Sequence, residues 1–239
     1  MKKFILFFLA VYMLGISTNR ASAAVIVSNC MIIDKPGSYI LLTNIKAAPT
    51  SLKNPGPACI LIFADFVTLD LQGHTITGPG TGFGIYSTLG IAHYPVATRI
   101  SNGSITGFDR AIALEGDAHT AENVRVAGNN VGLTVDGLGI KVRAVQASRN
   151  TTAGILCFGG FGHSVQDSVV ISTAGDGINF NSCSGSKIIG NTSMANGGYG
   201  IAATCPSLIL QNMVAQNGAG DIVTSSVPAC TLSENNPAP

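Results

Sequence analysis

Charge is scarce in this chain. Lys and Arg number 13 of 239 residues, Asp and Glu 12, and charged residues make up 10% of the sequence. No segment carries a run of basic residues, so the electrostatic footprint of a nucleic-acid binder is missing and nucleic acid is not an expected partner. Histidine is as sparse. His74, His93, His119 and His163 stand alone without the spacing of metal ligands, so no metal is expected of them. There is no glycine-rich phosphate loop, no nucleophile elbow and no C-x-x-C pair, which sets aside the chemistries those motifs carry. The continuous apolar run, Phe4 to Ile16, is too short to span a bilayer.

That run follows Lys2 and Lys3 and leads to Ala21-Ser22-Ala23, an A-x-A cleavage site. Residues 1–23 therefore read as a secretory signal peptide. The expectation is a secreted or periplasmic protein with no membrane span after cleavage. Lys2, Lys3 and Arg20 leave with the signal, so 10 basic residues remain against 12 acidic ones. All six cysteines lie beyond it, as an oxidising compartment would favour, and six allow fifteen pairings. Cys30 and Cys59 flank the segment before the repeats and are expected to pair. Cys157, Cys183, Cys205 and Cys230 fall on successive repeats, where neighbours could pair. Cys157 takes an inward position and reads as a candidate free core thiol.

What the chain has in plenty is Gly, Asn, Ser and Thr in a recurring order. From Gly177 to Asp221 one phrase is written twice, GINFNSCSGSKIIGNTSMANGGY and then GIAATCPSLILQNMVAQNGAGD. Ile178 falls on Ile201, Asn191 on Asn212 and Asn196 on Asn217. Earlier openings are Gly84-Ile85, Ala111-Ile112, Gly132-Leu133 and Gly154-Ile155, and a last one is Asp221-Ile222. From Ile85 to Ile222 the steps are 27, 21, 22, 23, 23 and 21 residues. A period in the low twenties without helical patterning predicts an all-β solenoid of stacked coils, its corners varying in length while its strands stay in register. Ile100 to Gly107 is expected to lie over Leu71 to Gly78. Residues 24–58, with the turn Pro36-Gly37 and the strand Tyr39 to Leu42, read as an N-terminal cap, and 59–239 as the repeats. Asn150, Asn196 and Asn217 each stand five residues before an opening apolar residue and are expected to stack in an internal ladder.

The phrase VTLDLQGHTITGPG, the Gly-Ile openings and the corner Asn residues resemble the right-handed parallel β-helix proteins of the pectin-lyase-like superfamily. The resemblance covers roughly Cys59 to Asn235. It implies a single-stranded right-handed parallel β-helix, and a polysaccharide or cell-surface glycan as partner. The Asp pairs of the hydrolase branch and the calcium cluster of the lyase branch are not recognisable, which speaks against a classical pectinolytic enzyme.

Alternation then nominates a site. If Ile112 and Leu114, Leu133 and Val135, Ile155 and Cys157, and Ile178 and Phe180 face inward, the next column faces out: Glu115, Asp136, Phe158, Asn181 and Thr204. Glu115 and Asp136 should be neighbours about 4.8 Å apart, with Asp117 beside them. Paired carboxylates can serve as the acid and nucleophile of a retaining glycosidase, or with Asp117 hold calcium. Phe158 could stack on a sugar ring, with Tyr86, Asn179 and Asn181 extending the face. Lys141, Arg143 and Arg125 lie near these acids in sequence but on other strands. The leading reading is a carbohydrate-directed binding or surface module. A polysaccharide lyase or glycosidase acting through Glu115 and Asp136, and a structural adhesin or envelope protein, are its rivals.

Overall fold

A repeat of about 22 residues cannot bury an apolar face by itself, so the repeats must stack. The computed structural model, which describes residues 23–47, 57–88, 94–225 and 228–237, shows an all-β, right-handed parallel β-solenoid. The expected signal segment up to Ser22, most of the loop at 47–57 and His93 lie outside the described residues. Among the described residues no helix is long and apolar enough to cross a membrane.

One face of the solenoid is a nine-stranded parallel sheet: Met31–Ile33, Ala58–Ile62, Phe83–Ser87, Arg110–Asp117, Val131–Leu138, Ala153–Phe161, Asp176–Phe180, Tyr199–Ala203 and Gly220–Thr224. Its register places Ile60, Ile85, Ile112, Leu133, Ile155, Ile178, Ile201 and Ile222 in one column. The first seven are 0% exposed, so the column read from the sequence is the core. Each such side chain contributes roughly 1.5–3 kcal/mol on burial. The other two faces carry two short strands in most coils, such as Lys141–Arg143 and Gln146–Ser148, and one eight-residue strand in the coils of Arg99–Thr106 and Thr120–Ala127.

The corners are single residues in the left-handed region. In the coil that begins at Val131 they are Gly139 (φ 62°), Ala144 (φ 50°) and Arg149 (φ 53°), three bends that make the cross-section triangular. A residue with a Cβ is disfavoured there by about 1–2 kcal/mol. The hydrogen bonds between stacked coils hold it in place, as when Ala144 N–H donates to Gln166 C=O and Arg149 N–H to Ile171 C=O.

Asparagine satisfies the turns from within. The Oδ1 of Asn150 accepts from Asn129 N–H at 3.1 Å, and that of Asn217 from Asn196 N–H at 3.0 Å. A second column runs Asn191, Asn212, Asn235 in the same geometry. This ladder explains the glycines that open three of the coils, Gly132, Gly177 and Gly200. A Cβ on Gly177 would meet Ser193 Oγ at 2.1 Å and Asn196 Nδ2 at 2.7 Å, and one on Gly200 would meet Asn217 Nδ2 at 2.5 Å. At a third corner two buried histidines play the same part. His119 Nδ1 accepts from Thr98 N–H, and His163 Nδ1 from Ile140 N–H. Each ring's Nε2 bonds a carbonyl four residues back, of Glu115 or Gly159. Burial lowers the pKa of both rings.

Three readings of the sequence are refined. The strands at 25–46 pair in parallel with later ones, so the N-terminal segment is built as the opening coil: Val25 pairs with Tyr39, Met31 with Ile60 and Ile45 with Ile76. Leu69, not Leu71, lies under Ile100, while Ile76 lies under Ile105. The turn at Gln72-Gly73 takes up the two extra residues. Cys157 is not a free thiol. It is bonded to Cys183, beside the expected Cys30–Cys59 bridge and a third between Cys205 and Cys230, each spanning about one coil.

Candidate glycan-binding face

The outward side of the nine-stranded sheet brings together most of the residues nominated from the sequence. Glu115 pairs in register with Asp136 as alternation requires. The Glu115 carboxylate is already engaged, however. Glu115 is turned to the preceding coil, where Tyr86 Oη donates to its Oε1 at 2.7 Å and Thr88 Oγ1 to its Oε2 at 2.5 Å. Both oxygens of Glu115 are thus engaged by hydroxyl groups. Asp136 lies on the following coil, exposed, its carboxylate without a hydrogen-bond partner among the described residues.

Tyr86 belongs to the face but not to its surface. It is 6% exposed, stacks on Phe83 with ring centroids 4.2 Å apart, and packs with Ala58, Leu61 and Ala113 in a small outward cluster. Burial is the largest cause of its raised pKa, pushed up to about 12, with the Glu115 carboxylate adding to it. Its hydroxyl donates to Glu115, and little of its ring reaches the surface.

Phe158 does not follow Asp136 in the column. The register shifts between Val135 and Asp136, so that Val135 pairs with Cys157 but Asp136 with Gly159. Phe158 is the extra residue of a β-bulge, a device that re-aims a side chain. Gly159, which follows it, leaves the Asp136 carboxylate close by: a Cβ there would lie 2.9 Å from Asp136 Oδ1, which could turn aside. Phe158 remains 45% exposed, and the Arg110 guanidinium sits over its ring at 4.5 Å and over Phe83 at 5.5 Å. Arg110 is the residue alternation missed. It begins the strand Arg110–Asp117, half-buried, ahead of Ala111 and Ile112, which both belong to the core.

The remaining nominees serve turns. Asp117 Oδ1 accepts from Leu138 N–H at 3.0 Å. Asn179 donates to Asp176 Oδ2 at 2.7 Å and accepts from Asn181 N–H, which leaves the exposed Asn181 side chain as the available amide. Among the described residues, the one trio of His, Cys, Asp or Glu ligand atoms lying within 4.8 Å of one another is Cys157, His163 and Cys183. Glu115, Asp136 and Asp117 therefore do not converge as a calcium cluster would, and the two thiols of that trio are joined as a disulfide.

The face as built offers a half-exposed aromatic ring braced by a guanidinium, a free carboxylate beside it, and an amide further along. No curated protein matches the chain in sequence. Solved structures match in fold. A crystal structure of a point mutant of the periplasmic alginate epimerase AlgG superposes with a TM-score of 0.65 at 15% identity, covering 85% of this chain and 51% of that one. Another structure of AlgG gives 0.57 at 13% identity, covering 85% and 69%. The chain thus spans about half the length of the first of these. The family model described as "Right handed beta helix region" matches residues 89–236, most of the chain. On that match, and with the coils stacked as described, the chain belongs to the right-handed β-helix family.

Proposed function

We propose that this is an exported carbohydrate-binding module, with a glycan lying on the outward face of the nine-stranded sheet. The observation that carries the reading is the bulge at Phe158. It places an aromatic ring at the surface, braces it with Arg110, and sets it beside the unpartnered carboxylate of Asp136. Sugars are bound by that combination, the ring taking the C–H face of the pyranose and the polar groups its hydroxyls. The three disulfides support an oxidising compartment. Likeness in fold to an alginate epimerase fits a glycan partner.

Binding is favoured over glycoside cleavage because Glu115 is held by two hydroxyls on the coil away from Asp136. A retaining pair needs both carboxyl groups facing one scissile bond, about 5–5.5 Å apart. The test is affinity electrophoresis of the folded protein in gels cast with neutral glycans. Phe158→Ala and Asp136→Asn should each weaken retardation about tenfold, a loss near 1.4 kcal/mol. Unchanged retardation of both variants would remove this face as the site.

A further inference from the structure

A second face gathers charge that the first does not use. Of the ten Lys and Arg beyond residue 23, four line a single groove of about 620 Å³: Arg99, Lys141, Arg143 and Lys187. Its acids are Glu122 and Asp167, so cations exceed anions there by four to two, although beyond residue 23 the chain has more acids than bases. The groove lies over the strands that follow the Gly139 corner. One outward row of its floor reads, in register, Arg99, Thr120, Lys141, Ser164 and Lys187. Stacked coils are about 4.8 Å apart, so the cations recur every second coil, roughly 10 Å apart, with a hydroxyl between each pair.

The acids do not neutralise this row evenly. Glu122 pairs with Arg99, and Asp167 with Arg143 at 3.4 Å. The side-chain ammonium groups of Lys141 and Lys187 have no ion pair or hydrogen bond among the described residues, although each backbone N–H donates to the coil before it, to His119 C=O and His163 C=O. Two uncompensated ammonium groups thus face solvent on one line parallel to the solenoid axis. The corner beside them is kept low by Gly139 and Gly162, where a Cβ would project into open space. Both are left-handed positions, with φ of 62° and 71°.

A small anion would use one lysine and leave the other idle. A single-stranded nucleic acid would want rings to stack its bases, and no aromatic residue lines the groove. What matches is a linear polymer with hydroxyls along its length and a negative group at every second unit. We infer that this groove binds a linear acidic polysaccharide along the solenoid axis, its anionic groups meeting Lys141 and Lys187 and its hydroxyls meeting Thr120, Ser164 and Gln166. This site is separate from the Phe158 face and does not depend on it.

The experiment is affinity electrophoresis of the full chain with a polyuronate, a sulfated glucan, a neutral glucan and single-stranded DNA of equal charge. Retardation by the polyuronate or by the sulfated glucan should weaken at least about tenfold in the Lys141→Gln/Lys187→Gln double variant, and fall steeply with salt as counterion release demands. Retardation by the polyuronate identifies carboxylate as the group read, and by the sulfated glucan alone identifies sulfate. The charge-conserving pair Lys141→Arg/Lys187→Arg should bind as the parent does, which separates lost charge from lost folding. Phe158→Ala should leave this binding unchanged, so failure of the first face and failure of the groove are told apart. No binding of either acidic glycan, equal binding by the glutamine variant, or DNA binding as tight as the glycan's would overturn the inference.

Discussion

Thr173 interrupts the asparagine ladder, and repairing it should stabilise the protein. Its N–H donates to Asn196 Oδ1 at 3.0 Å, as every ladder member's does to the next. Its own Oγ1 is buried without a hydrogen-bond partner. In Thr173→Asn the new Oδ1 would accept from Asn150 N–H, as Asn150 Oδ1 does from Asn129, and the new Nδ2 would donate to Asn196 Oδ1 as Asn196 donates to Asn217 at 3.0 Å. Each such bond contributes about 0.5–1.5 kcal/mol net, and removing a buried unsatisfied hydroxyl relieves about 1–3 kcal/mol. Ordering the longer side chain offsets roughly 1 kcal/mol. A net gain of about 1–5 kcal/mol follows, which in a chain of this size raises Tm by roughly 2–20 °C. Urea denaturation and calorimetry would measure it, with Asn196→Thr as the opposite change, expected to cost about 1–3 kcal/mol. A Thr173→Asn protein that is properly folded yet no more stable than the parent would refute the idea that the ladder stabilises the coils.

Gly177→Ala should destabilise by about 1–3 kcal/mol through overpacking, since its Cβ would fall 2.1 Å from Ser193 Oγ; an unchanged urea midpoint would contradict that contact. Ile178→Ala, at a 0% exposed position of the central column, should cost about 2–5 kcal/mol in the same assay. Burial lowers the pKa of His119 and His163, so both stay neutral in the folded chain while the unfolded chain takes up protons below about pH 6.5. Their contribution is therefore complete above about pH 6.5 and is lost as pH falls toward the lowered folded values. A urea midpoint that did not drop between about pH 7.5 and pH 5.5 would contradict this reading.

The solenoid was legible because its core is written once per coil. Ile85, Ile112, Leu133, Ile155, Ile178 and Ile201 recur with a glycine or alanine before them, and both residues have one physical reason: the isoleucine fills the core while the small residue makes room for a ladder or core side chain. The candidate site was harder because outward residues are not constrained by packing. Alternation placed Glu115 over Asp136 correctly, but it assumes one residue per step, and the bulge at Phe158 breaks that assumption. The Gly159-Gly160 pair was the available signal. Nor could alternation show that Glu115 looks backward, because that is decided by hydroxyls on Tyr86 and Thr88, 29 and 27 residues away. The basic groove was hidden for a related reason. Arg99, Lys141 and Lys187 are isolated in sequence and become a row only when the register of five coils is known.

The central claim is that the Phe158 face binds a glycan and does not cleave it. The most direct measurement applies the chain from residue 24 onward to a glycan array, then follows every bound glycan for new reducing ends. The account predicts retention of at least one neutral glycan, loss of that retention in Phe158→Ala, and no release of reducing ends over long incubation. Cleavage of a bound glycan that stops in Glu115→Gln or Asp136→Asn would contradict it, and would make the two carboxylates a catalytic pair after all.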